Sequence, residues 1–212
     1  SATFGLALVT PTDTRDTSRY YGVTASAASI GLVGIDDLVL TVTNPKILVN
    51  GGKDATVPNR VIDFTKGNLD NDTTTSGKTR IKTGSGALDF VDLAVSEKVI
   101  KASGDVTIDL LKDSVTTKYL VHLSGSVAIK VSAQTIYLSG APTTPVNVNA
   151  LEVGVFNASA TINVGSDSAG LTGVTVGLAY FTPVKLTGVT DSRSWLGLKT
   201  LGGAVAAGSG TV

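Results

Sequence analysis

Apolar residues in this chain occur in segments of about four to eight residues, separated by turns rich in Gly, Pro, Asn and Asp. The segment Leu38–Thr43 has the order Leu-Val-Leu-Thr-Val-Thr, and it is followed directly by Asn44-Pro45. β-Branched residues favour strands, whereas Gly, Pro and Asn favour the turns between them. No stretch combines sustained helical periodicity with a cap at each end. The pattern predicts an all-β fold.

The charge composition excludes several classes of partner. Lys and Arg together number 17, as do Asp and Glu, so the formal net charge is zero. Nucleic-acid-binding proteins usually carry a basic excess or stripe, and none is present, so we expect no nucleic acid as a partner. No run of about 18 apolar residues occurs, so we also expect no membrane-spanning helix.

Cysteine is absent from the chain and histidine occurs once, which removes several kinds of catalytic and metal site. The single His is His122, and this composition excludes cysteine nucleophiles, disulfides and Cys/His zinc sites. Phosphate-binding and nucleophile-elbow motifs are also missing from the sequence. The acidic loop Asp70–Asp72 has oxygen ligands but no EF-hand spacing, so a solvated loop within 66–86 is the expectation. We therefore predict no catalytic residue, no cofactor and no metal site.

A local repeat involves the dipeptide Ser-Gly. The segment that contains Ser103-Gly104 aligns with the segment that contains Ser124-Gly125 at an offset of 21 residues, and Ser139-Gly140 follows. Apolar residues alternate with polar ones on both sides of each dipeptide. This pattern predicts up-and-down strands that are joined at tight glycine turns, with one face buried.

A second repeat joins the two ends of the chain. Thr3–Pro11 aligns with Thr175–Pro183 at an offset of 172 residues, and Asp16–Val23 aligns with Asp191–Leu198 at an offset of 175. Both pairs preserve Gly-Leu-Ala and Thr-Pro, then an Asp, then an aromatic residue two positions before a Gly. Repeats of this length indicate a tandem architecture. We predict that 1–174 form one full β repeat and that 175–212 begin a second copy.

Five segments carry a resemblance to known proteins: Gly5–Pro11, Tyr20–Ser26, Gly31–Leu38, Val61–Phe64 and Lys101–Val106. Together they resemble the long tandem β repeats of giant secreted or surface-attached bacterial proteins, which are adhesin-like or scaffold-like. The resemblance implies a very long, exported chain at the bacterial cell surface or outside the cell. Many such proteins carry calcium-binding nonapeptide arrays, but this sequence has no Gly-Gly-x-Gly-x-Asp repeat.

The expected architecture is elongated, with mostly antiparallel stacked sheets or a β-solenoid-like repeat module. Small side chains dominate the apolar residues, and they suit sheets that stack closely on one another. A parallel β-helix is the main alternative geometry. An immunoglobulin-like sandwich is a third, although no Cys-Trp-Cys spacing supports it.

The function that follows is structural. We expect a non-enzymatic extracellular module that forms a stalk, filament, sheath or adhesin shaft by end-to-end packing with neighbouring copies. The alternative is an adhesin domain that binds a ligand or surface glycans. Tyr20, Tyr21 and Trp195 are the candidate residues in both cases, either as inter-repeat contacts or as an aromatic platform. Tyr20 and Trp195 occupy equivalent positions in the long repeat.

Overall fold

The computed structural model describes residues 2–32, 35, 37–57, 59–66, 79–112, 118–184 and 191–209. These residues form β-strands and no helix. The strands in chain order are β1 (Ala2–Val9), β2 (Arg19–Ala27), β3 (Ser29–Leu32), β4 (Leu38–Lys53), β5 (Thr79–Lys82), β6 (Phe90–Leu93), β7 (Val99–Lys112), β8 (Tyr119–Leu138), β9 (Ala141–Val164), β10 (Asp167–Pro183), β11 (Trp195–Leu201) and β12 (Ala204–Ser209).

Ten of these strands form one open sheet. Its order is β1-β2-β4-β7-β8-β9-β10-β11, with β3 paired to β4 and β12 paired to β10. Strands β5 and β6 form a separate two-stranded sheet. Every pairing among the described strands is antiparallel. The prediction of an all-β, mostly antiparallel fold is confirmed, and the parallel β-helix alternative is wrong because its neighbouring strands would have to be parallel.

A line of bulges crosses the large sheet and divides it into two halves. Register shifts occur between Thr43 and Lys46 on β4 and around Val174 on β10. Asn44, Asn157 and Gly173 adopt positive φ angles of 51°, 51° and 71° along this line. Bulges bend the strands that contain them. We call the part with β1, β2 and β11 the first half, and the part with β3 and β12 the second half.

The Ser-Gly dipeptides correct one expectation from the sequence. Ser103-Gly104 and Ser124-Gly125 lie inside the continuous strands β7 and β8 near the bulge line, and only Ser139-Gly140 lies in a turn. A Cβ at position 104 would lie 2.7 Å from Val42 Cγ1. Glycine within a strand permits close approach of a neighbouring group as well as a turn. The local repeat therefore reflects crowding at the bend.

The hydrophobic core lies between the small sheet and one face of the first half. Phe64 and Leu93 are fully buried there, and Ala7, Val95 and Val99 complete the buried cluster. The backbone N–H of Phe64 donates to the carbonyl of Val95 at 2.9 Å. We call this side of the large sheet, which carries Gly5, Ala7 and Gly22, the glycine face.

The opposite side of the first half is almost wholly apolar, and we call it the apolar face. Two rows of directly paired residues cross all eight strands of this half. The first row is Leu6, Val23, Val49, Ile100, Val131, Leu151, Tyr180 and Leu196, and the second is Phe4, Ala25, Ile47, Ala102, Ile129, Val153, Leu178 and Leu198. Phe4 is 61% exposed and Leu198 is 66% exposed. Apolar surface of this extent usually marks an interaction site.

Candidate functional site

The hairpins at the two ends of the sheet have the same register. In β1–β2, Val9 pairs with Tyr20 and Leu6 pairs with Val23. In β10–β11, Phe181 pairs with Trp195 and Leu178 pairs with Leu198. The offsets of 172 and 175 residues from the sequence alignment carry seven of the eight pairs of the first hairpin onto the seven pairs of the second. The aligned segments therefore have equivalent backbone pairing as well as similar residues.

The turns that precede the second strand of each hairpin also match. The Asp16 carboxylate Oδ1 accepts the backbone N–H of Ser18 at 2.9 Å. The Asp191 carboxylate Oδ1 accepts the backbone N–H of Arg193 at 3.1 Å. Asp side chains commonly fix a turn by accepting from the backbone two residues later. Each Asp lies four residues before the aromatic residue that begins the register.

Glycines at equivalent positions in the two hairpins have different surroundings. A Cβ at Gly5 would lie 2.5 Å from Val91 Cγ1, and a Cβ at Gly22 would lie 2.7 Å from Phe64 Cε2. Gly177, the equivalent of Gly5, has no heavy atom within 4 Å of a Cβ position. A Cβ at Gly197, the equivalent of Gly22, would meet only a backbone oxygen at 3.9 Å. The small sheet covers the first hairpin, whereas the described residues leave the second hairpin open.

Tyr20 lies half-buried on the glycine face, where it contacts the end of β4. Its hydroxyl donates to Asp54 Oδ2 at 2.6 Å, and a Cβ at Gly52 would lie 2.7 Å from the Tyr20 ring. The hydrogen bond from Tyr20, with backbone donors from Val57 and Thr56, holds the pKa of Asp54 well below its usual range. The same hydrogen bond raises the pKa of Tyr20. Tyr20 thus connects β2 to the turn after β4.

Trp195 lies on β11, at the edge of the large sheet opposite β1. The Arg193 guanidinium covers its ring at 5.4 Å from the centroid, a favourable cation–π distance. Arg193 also donates to Asp191 through Nη2 at 2.6 Å. This interaction lowers the pKa of Asp191 to about 2. Trp195 is half-buried within its own hairpin.

Tyr21 lies on the apolar face and is 41% exposed. A Cβ at Gly51, its partner on β4, would come within 2.5 Å of the Tyr21 hydroxyl oxygen. Tyr20 and Tyr21 therefore point to opposite faces of the sheet, and Trp195 lies at its other edge. The structure does not bring the three candidate aromatic residues together into one platform.

Both edges of the large sheet have strands with one unpaired side. Among the described residues, β1 pairs only with β2 and β3 only with β4. At the other edge, β11 and β12 each pair only with β10 in that part of the chain. Unpaired strand edges are templates for adding another strand. The β1–β2 hairpin lies at one edge of the large sheet, and the equivalent β10–β11 hairpin lies at the other.

Sequence reasoning missed a carboxylate partner for His122. Asp109 pairs with His122 across β7 and β8, and His122 Nδ1 lies 2.6 Å from Asp109 Oδ1. Strands β7 and β8 are consecutive in the chain, so their antiparallel pairing was the signal that sequence reasoning could have used. Thr161 follows His122 in the same row on β9. The geometry supports a cross-strand contact on a polar face of the second half.

No group of three or more His, Cys, Asp or Glu residues converges within the described parts of the chain. Asp54 accepts hydrogen bonds from Tyr20, Val57 and the Thr56 side chain. The acidic segment Asp70–Asp72 lies outside the described residues. The described residues also include no helix long and apolar enough to cross a bilayer.

Comparisons with known proteins give no relationship: no family model, no curated protein and no solved structure matches this chain. The assignment of a function therefore depends on the geometry described above.

Proposed function

We propose that the chain is a non-enzymatic structural module of a bacterial extracellular array, in which neighbouring copies are joined end to end by continuation of the large sheet. The equivalence of the β1–β2 and β10–β11 hairpins carries this proposal. If the last hairpin of one copy is also the first hairpin of the next, β11 gains the β4 of the next copy as its neighbour. In the same way, β1 gains the β9 of the preceding copy, which is the neighbour that β10 already has within one copy.

The proposal gives the array a defined spacing. Six inter-strand steps separate β1 from β10 in the large sheet. At about 4.8 Å per step, each copy would advance the sheet by about 29 Å along its own width. Backbone hydrogen bonds would run without interruption through every junction, so each junction would resist load in the same way as the interior of a copy.

The apolar face supports lateral packing between chains of such an array. Its two rows span eight strands, which corresponds to roughly 500 Å² of flat area per copy. A face-to-face pair of copies would bury about 1,000 Å², near the lower limit for a stable interface. The rows contain no charged residue that would oppose the contact of two identical faces. A second copy of the chain is therefore the partner that we propose for this face, in a stalk, filament, sheath or adhesin shaft.

A two-copy chain with a shared hairpin tests end-to-end joining. In this chain, residues 1–201 are followed by residues 27–212, so that β10–β11 of the first copy serves as β1–β2 of the second. The control joins two complete 212-residue chains by a flexible linker. We expect the shared-hairpin chain to unfold in one urea transition with a larger m-value than the single chain, because the exposed area scales with the cooperative unit. Separate unfolding of the second copy would contradict the proposal.

A further inference from the structure

We infer that the open glycine face of the β10–β11 hairpin is the docking site for the small β5–β6 sheet of the following copy, and that Trp195 takes the place of Tyr20 against Gly52 and Asp54 of that copy. This inference rests on the proposed function, because it names the contacts through which one copy receives the next.

The open hairpin has the same pattern of small residues as the covered one. Gly177, Ala179 and Gly197 stand at the positions of Gly5, Ala7 and Gly22 in the first hairpin. In the first hairpin these small residues make room for side chains of the small sheet, and Ala7 belongs to the buried core. In the second hairpin the same three positions have no such cover among the described residues. The glycine face of the second hairpin therefore has the shape needed to pack against a β5–β6 sheet.

The free edge of β11 can pair with β4 of the following copy in the register that β2 already has with β4. Tyr20 pairs with Gly52 and Val23 pairs with Val49 between β2 and β4. The equivalent pairing would put Trp195 opposite Gly52 of the following copy and Leu198 opposite its Val49. That register would place the small sheet of the following copy over the glycine face, because segment 59–66 connects this sheet to β4. On β4, Asn50 Nδ2 donates to the Ile62 carbonyl at 2.8 Å, and on β5 the backbone N–H of Thr79 donates to the Phe64 carbonyl at 3.0 Å.

Tyr20 and Trp195 both carry a hydrogen-bond donor on an aromatic ring. The Tyr20 hydroxyl donates to Asp54, and the Trp195 indole N–H is also a donor at an equivalent point of its hairpin. Gly52 offers no side chain that would exclude the larger indole ring. The equivalent of Ser18 is Arg193, which now covers the Trp195 ring. Docking would replace this cover with the turn that follows β4 of the next copy.

Glycine substitutions in the two-copy chain test the docking site. Gly197→Ala should leave the single chain unchanged or slightly more stable, because its Cβ meets no side chain. In the shared hairpin of the two-copy chain, the same substitution should lower the equilibrium constant for folding about tenfold or more, since a Cβ there would overpack against Phe64 and Leu93 of the second copy. Gly177→Ala provides a second variant, and Gly140→Ala, in an open turn, is the matched control.

Fluorescence of Trp195 provides an independent measurement. The Trp195 of the second copy is replaced by Phe, so that the shared hairpin holds the only indole. We expect its emission at shorter wavelength and its iodide quenching reduced relative to the 212-residue chain. If the two-copy chain unfolds cooperatively while Gly197→Ala is neutral and Trp195 stays quenchable, this docking site is wrong but the end-to-end junction stands. If the two-copy chain gains no cooperativity, both proposals fail together.

Discussion

Gly22→Ala and Gly197→Ala should change the stability of the 212-residue chain in opposite directions, although the two glycines occupy equivalent hairpin positions. A Cβ at position 22 would lie 2.7 Å from Phe64 Cε2 and would also overlap Leu93 Cδ2. Both neighbours are fully buried, so they cannot move aside without disturbing the core. Overpacking of this kind costs about 1–3 kcal/mol. The methyl group recovers about 0.5–1 kcal/mol because alanine loses less backbone entropy in a strand.

The net expectation is a loss of up to about 2.5 kcal/mol for Gly22→Ala and a gain of up to about 1 kcal/mol for Gly197→Ala. Urea denaturation of both variants at neutral pH, fitted with a common m-value, measures the two changes directly. Both variants replace glycine with alanine at equivalent strand positions. The difference between their changes in unfolding free energy therefore measures the effect of packing against the small sheet. Equal changes in the two variants, or a larger loss for Gly197→Ala, would refute the packing argument.

Three other predictions concern the apolar face, the Tyr20–Asp54 pair and the repeat spacing. Ile129→Lys places a charge in the apolar face and should shift the chain towards monomer in analytical ultracentrifugation. Lys130→Glu, on the opposite face, is the control and should leave association unchanged. Unchanged association of Ile129→Lys would contradict face-to-face packing. The folded-state pKa of Asp54 lies below its unfolded value of about 3.9, so its contribution to stability is present above that pH and is lost as the pH falls through the folded pKa. Tyr20→Phe removes the main donor and should weaken this acid dependence of the urea midpoint, and an identical pH profile would refute the role of the pair. Electron micrographs of aligned arrays should show an axial repeat no longer than about 29 Å per copy, since sheet coiling can only shorten the contour, and a longer repeat would exclude sheet continuation.

The all-β fold and the equivalent turns of the two end hairpins were predictable because both depend on local residue order. The strand lengths were not, since β4 continues through Asn44-Pro45, where the sequence indicates a turn. Alternation of apolar residues, as at Phe4, Leu6 and Leu8, indicates a strand with one apolar face. The alignment at Asp16 and Asp191 identified turns whose carboxylates accept equivalent backbone hydrogen bonds. These features need no knowledge of which strands become neighbours.

The features that sequence reasoning missed depend on pairing between distant strands. Gly104 serves close packing against Val42 on β4, which no local pattern reveals, so the dipeptide was wrongly assigned to a turn. The contact between Asp109 and His122 follows from the register of β7 and β8. The difference between Gly22 and Gly197 depends on where the small sheet packs. All three features depend on which distant segments become neighbours, and that is determined by the whole fold and not by local residue order.

The mass of the intact polypeptide in its source tests whether this 21.5 kDa chain is a segment of a longer array of copies. We expect a native chain far heavier than this on a denaturing gel and by mass spectrometry. Limited proteolysis should then release a ladder with steps of roughly 17–18 kDa, the mass of one repeat of about 174 residues. A native mass near 21.5 kDa would contradict the account.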